Sequence, residues 1–102
     1  MIFSNELIIS DGLHNKTKIL NKINKGKVIP GMYCIALPSN DNNLMDLYRY
    51  NELLQPAMKK LDIRIIGLAA NKEDAMFMVV DMLEHTYKAT GGFDLVGFYK
   101  LN

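Results

Sequence analysis

Ser39, Asn40 and Asp41 follow one apolar run of this chain, and Asn71 follows another. The runs are Cys34-Ile35-Ala36-Leu37-Pro38-Ser39-Asn40 and Ile65-Ile66-Gly67-Leu68-Ala69-Ala70-Asn71. They stand 31 residues apart, each with a small residue third, Leu fourth and Asn last. As parallel strands followed by helices, they would bring the four polar residues to one sheet edge, beside the positive ends of two helices. That is the setting of a small-anion or polar-ligand pocket. Helix capping alone accounts for both Asn residues and is the favoured reading, since Asn ranks among the best N-caps. The chain has no Gly-x-Gly-x-x-Gly and no Walker pattern, so the backbone-exposing glycines of a nucleotide cradle are missing.

Cys34 would be a nucleophile only if exposed and activated by a His or a helix end. Mid-strand, it reads as a small buried hydrophobe. His14 and His85 fall at exposed helical positions, and Asp81 with His85 makes a single pair at i,i+4 spacing, too few ligands for a metal site. No cofactor pattern is present. Tyr48, Arg49 and Tyr50, close to Asn51 and Glu52, could line a ligand cleft, or one Tyr could pack while the other stays exposed.

The elements that must position these groups can be read in order. Residues 6–10 form a short strand or a leading arm. Ser10 or Asp11 caps a helix through about Lys25, stopped by Gly26. Met32 to Leu37 is a strand, after which Asn40 or Asp41 caps a helix carrying Leu44, Leu47, Tyr48 and Asn51. Pro56 breaks that helix near residues 50–56, leaving a short piece to Lys60. Ile63 to Ala69 reads as a buried strand. Asn71 caps a long helix to Thr90, with Glu73 and Asp74 at its positive end and Gly91-Gly92 past its C-terminus. Leu95 to Tyr99 reads as the last strand.

This order predicts a single α/β domain over residues 1–102, with a small, mostly parallel sheet of three to four strands and helices packed on it. A ferredoxin-like α+β arrangement is the alternative. It needs a hairpin, and no tight-turn dipeptide joins two strand patterns.

On the long helix, Met76, Val79, Val80, Leu83 and Tyr87 are expected to face inward. The opposite face holds Asp74, Met78, Asp81, His85 and Lys88, with Phe77 and Met82 on its shoulders. Phe77, Met78, Met82 and His85 are therefore candidates for a dimer or partner interface, against burial beneath the first helix or the N-terminal arm.

The bulk numbers exclude several classes. The chain has 102 residues, twelve Lys and Arg, eleven Asp and Glu, and a net charge of +1. Such a balance gives no overall electrostatic case for nucleic acid or membrane. Lys16, Lys18, Lys22, Lys25 and Lys27 concentrate positive charge in the first third, where a nucleic-acid surface competes with an ordinary solvated face. No interleaved arginines or aromatics support base contact, so nucleic acid is the less favoured partner. No stretch reaches the ~18 apolar residues needed to span a bilayer. Asn5, Glu6, Ser10 and Asp11 interrupt any signal-peptide core. One cysteine permits no internal disulfide, and a cytoplasmic location is expected.

The string Met32-Tyr-Cys-Ile-Ala-Leu-Pro-Ser-Asn40, with Asn51-Glu-Leu-Leu-Gln-Pro56, Asp62-Ile-Arg-Ile-Ile-Gly-Leu-Ala69 and Tyr87-Lys-Ala-Thr-Gly91, resembles a family of short uncharacterised bacterial proteins. The resemblance spans about residues 26–95. It implies a bacterial, low-GC source and carries no activity, cofactor or residue role.

Three functions compete. A non-enzymatic protein acting through protein contact or self-association is favoured, because no catalytic constellation is present. A small-ligand sensor or enzyme would use Ser39, Asn40, Asp41 and Asn71. Nucleic-acid binding would use the lysines of the first helix.

Overall fold

Ile65, Ile66, Leu68 and Ala69 are all buried, and the strand that carries them organises the rest. The computed structural model describes residues 1–40 and 44–100. Its strands are β1 (Ile2–Ile9), β2 (Tyr33–Ala36), β3 (Asp46–Arg49) and β4 (Arg64–Ala69). Its helices are α1 (Lys16–Asn24), α2 (Tyr50–Leu53), α3 (Pro56–Lys59), α4 (Lys72–Thr90) and α5 (Leu95–Tyr99). The strands form one sheet in the order β1-β4-β2-β3.

The sheet is mixed, and the mostly parallel arrangement expected above is corrected. β1 runs parallel to β4, while β2 is antiparallel to both β4 and β3. The cause lies after Ala36. Where a crossover helix was expected, the chain turns back, and Tyr33, Cys34, Ile35 and Ala36 pair with Arg49, Tyr48, Leu47 and Asp46. Leu44, Leu47 and Tyr48 at helical spacing mislead, because Leu47 and Tyr48 serve opposite faces of a strand. The hairpin required by the α+β alternative is thus present, although the parallel β1·β4 pair departs from an all-antiparallel ferredoxin-like sheet.

The sheet has helices on both faces. Cys34, Ala36, Ile65 and Leu68 pack with Tyr50, Leu53, Ile19, Ile23 and Met58 of α1, α2 and α3. Ile35, Ile66 and Ala69 pack with Ala75, Met82 and Leu95 of α4 and α5. Each such aliphatic side chain contributes about 1.5–3 kcal/mol on full burial. Ile65 and Leu68 share a face although they are three residues apart. Pairing with β2 passes from Gly67 opposite Ile35 to Ile65 opposite Ala36, leaving Ile66 as an extra residue in a bulge. Glycine suits position 67: a Cβ would lie 3.2 Å from the Ile8 carbonyl and 3.3 Å from Ile35 Cδ1, so these neighbours would have to give way.

β1 has its own irregularity. Phe3 pairs with Ile65 and Ile8 with Gly67, so Ser4–Leu7 bow away from β4. The bow is polar, and the Glu6 amide donates to Ser4 Oγ at 3.3 Å. Pairing resumes at Ile8 and is locked by Ser10, whose amide donates to the Leu68 carbonyl at 3.0 Å and whose Oγ accepts from the Ala70 amide at 3.1 Å. Ser10 is therefore spent on the sheet. The N-cap of α1 is Asn15, whose side chain accepts from the Lys18 amide at 3.2 Å.

Gly26, just past α1, has φ +66° and matches the expected stop. The break near Pro56 is also present, with Pro56 opening α3 after Gln55. α4 begins and ends where its caps predict, at Asn71 and at Gly91 with φ +76°. The last expected strand is instead α5. Asp94 Oδ1 accepts from the Gly97 amide at 3.1 Å, and this cap selects a helix for a short apolar run whose periodicity fits either form.

Candidate functional site

Because β2 opposes β4, the two Asn residues belong to opposite ends of the sheet. Ala36, before Ser39 and Asn40, pairs with Ile65 near the start of β4, while Ala69, before Asn71, pairs with Tyr33 at the start of β2. Three rises of ~3.3 Å along β2 put about 10 Å between those levels. Among the described residues, Ser39 and Asn40 therefore stand at the opposite end of the sheet from Asn71. The Ser39 amide donates to Asp46 Oδ2 at 2.9 Å, which closes the hairpin. Asp41 lies outside the described residues. Asn71 caps α4, its Oδ1 accepting from the Asp74 amide at 2.8 Å.

A different group converges beside Asn71. A cleft of about 560 Å³ is lined by Gly31, Tyr33, Arg49, Asn51, Glu52 and Asn71, among others. Gly31 takes φ +80° there, with its Cβ position 3.7 Å from the Ala70 carbonyl. Arg49 Nε donates to the Tyr33 hydroxyl at 3.0 Å and stands 3.9 Å from Glu52 Oε1. The Tyr33 contact, with Glu52 beside it, raises the guanidinium pKa further, so Arg49 stays charged. Asn51 Oδ1 accepts from the Ile29 amide at 2.8 Å and holds the cleft's floor to the loop before β2. The cleft offers a fixed positive charge and an amide beside the positive end of α4. Arg49 was visible in the sequence beside its two tyrosines, but its approach to Asn71 depends on the antiparallel pairing.

The remaining candidates separate. Cys34 is buried and its thiol is pushed up to about 12 by that burial, which removes the thiolate at neutral pH. Tyr50 is buried and Tyr48 half-buried, with the Tyr48 hydroxyl 3.5 Å from Asp46 Oδ2. Burial first, and the nearby Asp46 carboxylate second, raise the Tyr48 pKa. The Tyr50 hydroxyl is the one buried side-chain polar atom without a hydrogen-bond partner among the described residues. His85 is exposed, with Nδ1 2.7 Å from the Asp81 carbonyl. Among the described residues, no three of His, Cys, Asp and Glu are grouped to hold a metal ion. Lys16, Lys18, Lys25 and Lys27 are exposed and Lys22 is half-exposed.

The second feature is on α4. Ala75, Met82 and Thr86 are its buried positions, with Met78, Val79 and Leu83 partly covered against the same core. Met76, Val80 and Tyr87, expected to face inward, are exposed instead. The helix has two apolar stripes roughly 120° apart, and the sheet takes the one that brings small Ala75 and Thr86 against it. Of the interface candidates, Met82 is only 4% exposed and lies in the core, and Met78 leans on it. Phe77 is 74% exposed.

Phe77 belongs to a continuous outer stripe with Met76, Val80 and Tyr87, extended by Phe93, whose ring stacks on Tyr87 at 5.2 Å. Two open apolar hollows flank Val80. One, of about 250 Å³, lies among Glu73, Met76, Phe77 and Val80. The other, of about 240 Å³, lies among Val80, Leu83, Glu84, Tyr87, Lys88 and Phe93. No described helix is long and apolar enough to cross a membrane. The chain matches no family model, no curated protein and no solved structure in the comparisons made.

Proposed function

We propose that this protein acts through protein contact, with the outer face of α4 as its docking surface. One observation carries the reading: Met76, Phe77, Val80, Tyr87 and Phe93 are all exposed and make a continuous apolar strip. Scattered apolar residues are ordinary on a surface, whereas a contiguous strip with polar edges is characteristic of an interaction face. A photocrosslinking residue at position 80, compared in living cells with one at exposed Lys18 on α1, tests it. Position 80 is expected to form protein adducts that position 18 does not. Equal or absent labelling at position 80 would overturn the reading.

A second reading rests on the Arg49 cleft. Its charge, volume and place beside α4 suit a small anionic or polar ligand. A metabolite panel read by thermal shift tests it, since a ligand at 100 times its dissociation constant adds ~2.7 kcal/mol. Any hit should disappear in Arg49→Ala, and a panel without hits counts against the cleft.

A further inference from the structure

The outer strip of α4 is self-complementary under a two-fold axis. In an antiparallel pair of helices with the axis beside Val80, each residue before position 80 meets the residue equally far beyond it on the other copy. Phe77 then lies opposite Leu83, at the mouth of the hollow formed by Val80, Leu83, Tyr87 and Phe93. That hollow is about 240 Å³, and about 150 Å³ is enough to take a benzene ring. The most exposed apolar side chain of the strip is thus matched by a receptor in the same strip. The charges follow the same symmetry. Glu73 borders the first hollow, and Glu84 and Lys88 border the second; the two-fold places each Glu73 level with the other copy's Tyr87, one residue from its Lys88 and three from its Glu84. The helix dipoles are also opposed in this arrangement. A parallel pairing would instead set Glu73 against Glu73 and Phe77 against Phe77.

We propose that the occupant of this face is a second copy of the chain, docked antiparallel across α4, with Phe77 of each copy seated in the other's Tyr87/Phe93 hollow. This rests on the α4 face being a contact surface and specifies what covers it. The strip from Glu73 to Lys88 is ~22 Å long at 1.5 Å per residue, on a helix ~10 Å wide. It is smaller than the ~800 Å² per partner of a standard stable interface. The dimer should therefore be weak, and its association is followed by sedimentation between about 1 μM and 1 mM.

The test combines sedimentation with charge exchange. Phe77→Ala should weaken association at least about thirtyfold, as loss of a central aromatic anchor does. Glu73→Lys and Lys88→Glu should each weaken self-association by up to about tenfold at low salt, because like charges then face each other at both ends. Mixing these two variants should restore the wild-type constant, since every pair in the mixed dimer is again of opposite charge. Orientation is read by oxidation of variants with one added cysteine, with buried Cys34 left in place. Val80→Cys should cross-link to a dimer and Glu73→Cys should not, because helices 8–10 Å apart bring only residues near the axis within disulfide reach.

All substitutions are at exposed positions, and unchanged melting temperatures at high dilution confirm folding. A wild-type chain monomeric at 1 mM, no recovery on mixing, or cross-linking through position 73 would each overturn the proposal. Crosslinking at position 80 to a different protein, alongside a monomeric chain, would overturn self-pairing while supporting the contact face.

Discussion

Cys34 and Tyr50 lie in the same cluster on the α1 side of the sheet, both fully buried. A thiol raised from 9.0 to about 12 in the fold has consequences for stability. Below about pH 9 it is protonated in both states and has no effect. Above that the unfolded chain ionises while the fold does not, so stability falls as pH rises towards 12, by ~1.4 kcal/mol per pH unit from this group. Tyr48, Tyr50 and Tyr99 are shifted the same way. Subtracting the slope of a Cys34→Ala variant from that of the wild type in urea titrations should therefore report the thiol together with its coupling to Tyr50, and equal slopes would refute the assignment. Tyr50 gives the second prediction. Its hydroxyl is buried without a partner among the described residues, and such a group costs about 1–3 kcal/mol. Tyr50→Phe should raise the urea midpoint; a lower midpoint would mean that the hydroxyl is satisfied. At this scale the sequence was readable where the chemistry is local, as in Asn71 as a cap and Cys34 as core. Which of Tyr48 and Tyr50 is buried depended on a strand ending at Arg49, and no local signal marks that end.

At the scale of the element, the pattern of β4 was legible because its apolar run is nearly continuous, while the Ile66 bulge within it was not. The close approach of Ile8 and Ile35 on either side favours glycine at position 67. Gly67→Val should destabilise the fold by about 1–3 kcal/mol, because its side chain would be forced against the Ile8 carbonyl and Ile35. Chemical denaturation measures this, and a neutral result would show that β1 can move aside freely. The bounds of α4 were legible from both caps, but its orientation was not. Two apolar stripes run along one helix, and periodicity alone cannot say which the sheet covers. The misreading is informative: the surplus stripe that made the inward face ambiguous is the exposed strip proposed as an interface. β3 and α5 were misread for a related reason. Runs of four or five residues fit helix and strand alike, and a neighbouring strand or an Asp cap decided each.

For the whole molecule, the matched Cys34 and Ile65 runs suggested two equivalent βα units in one direction. They are neighbours in the sheet, as adjacent apolar runs should be, but antiparallel. Direction was hidden because it depends on the connection between residues 37 and 45, which carries no tight-turn signature. The candidate pocket depended on that direction, and its described residues lie at opposite ends of the sheet instead. Association of the folded chain makes a prediction at this scale. Anything that binds only the native state makes its melting temperature depend on concentration. The wild-type midpoint should therefore rise between about 1 μM and 1 mM, and that of Phe77→Asp should not. A concentration-independent wild type would place the strip's partner outside the chain's own copies.

The clasp between β1 and β4 sets an order of events during synthesis. Ile2–Ile9 leaves the ribosome well before its sheet neighbour Arg64–Ala69, and Ser10 can clasp Leu68 and Ala70 only once those residues have emerged. Closing so long a stretch of chain costs entropy before any contact offsets it, which slows folding. β1 is thus a segment held in waiting until β4 has been made, with its Ser4–Leu7 bow unpaired to β4 even after the two strands meet.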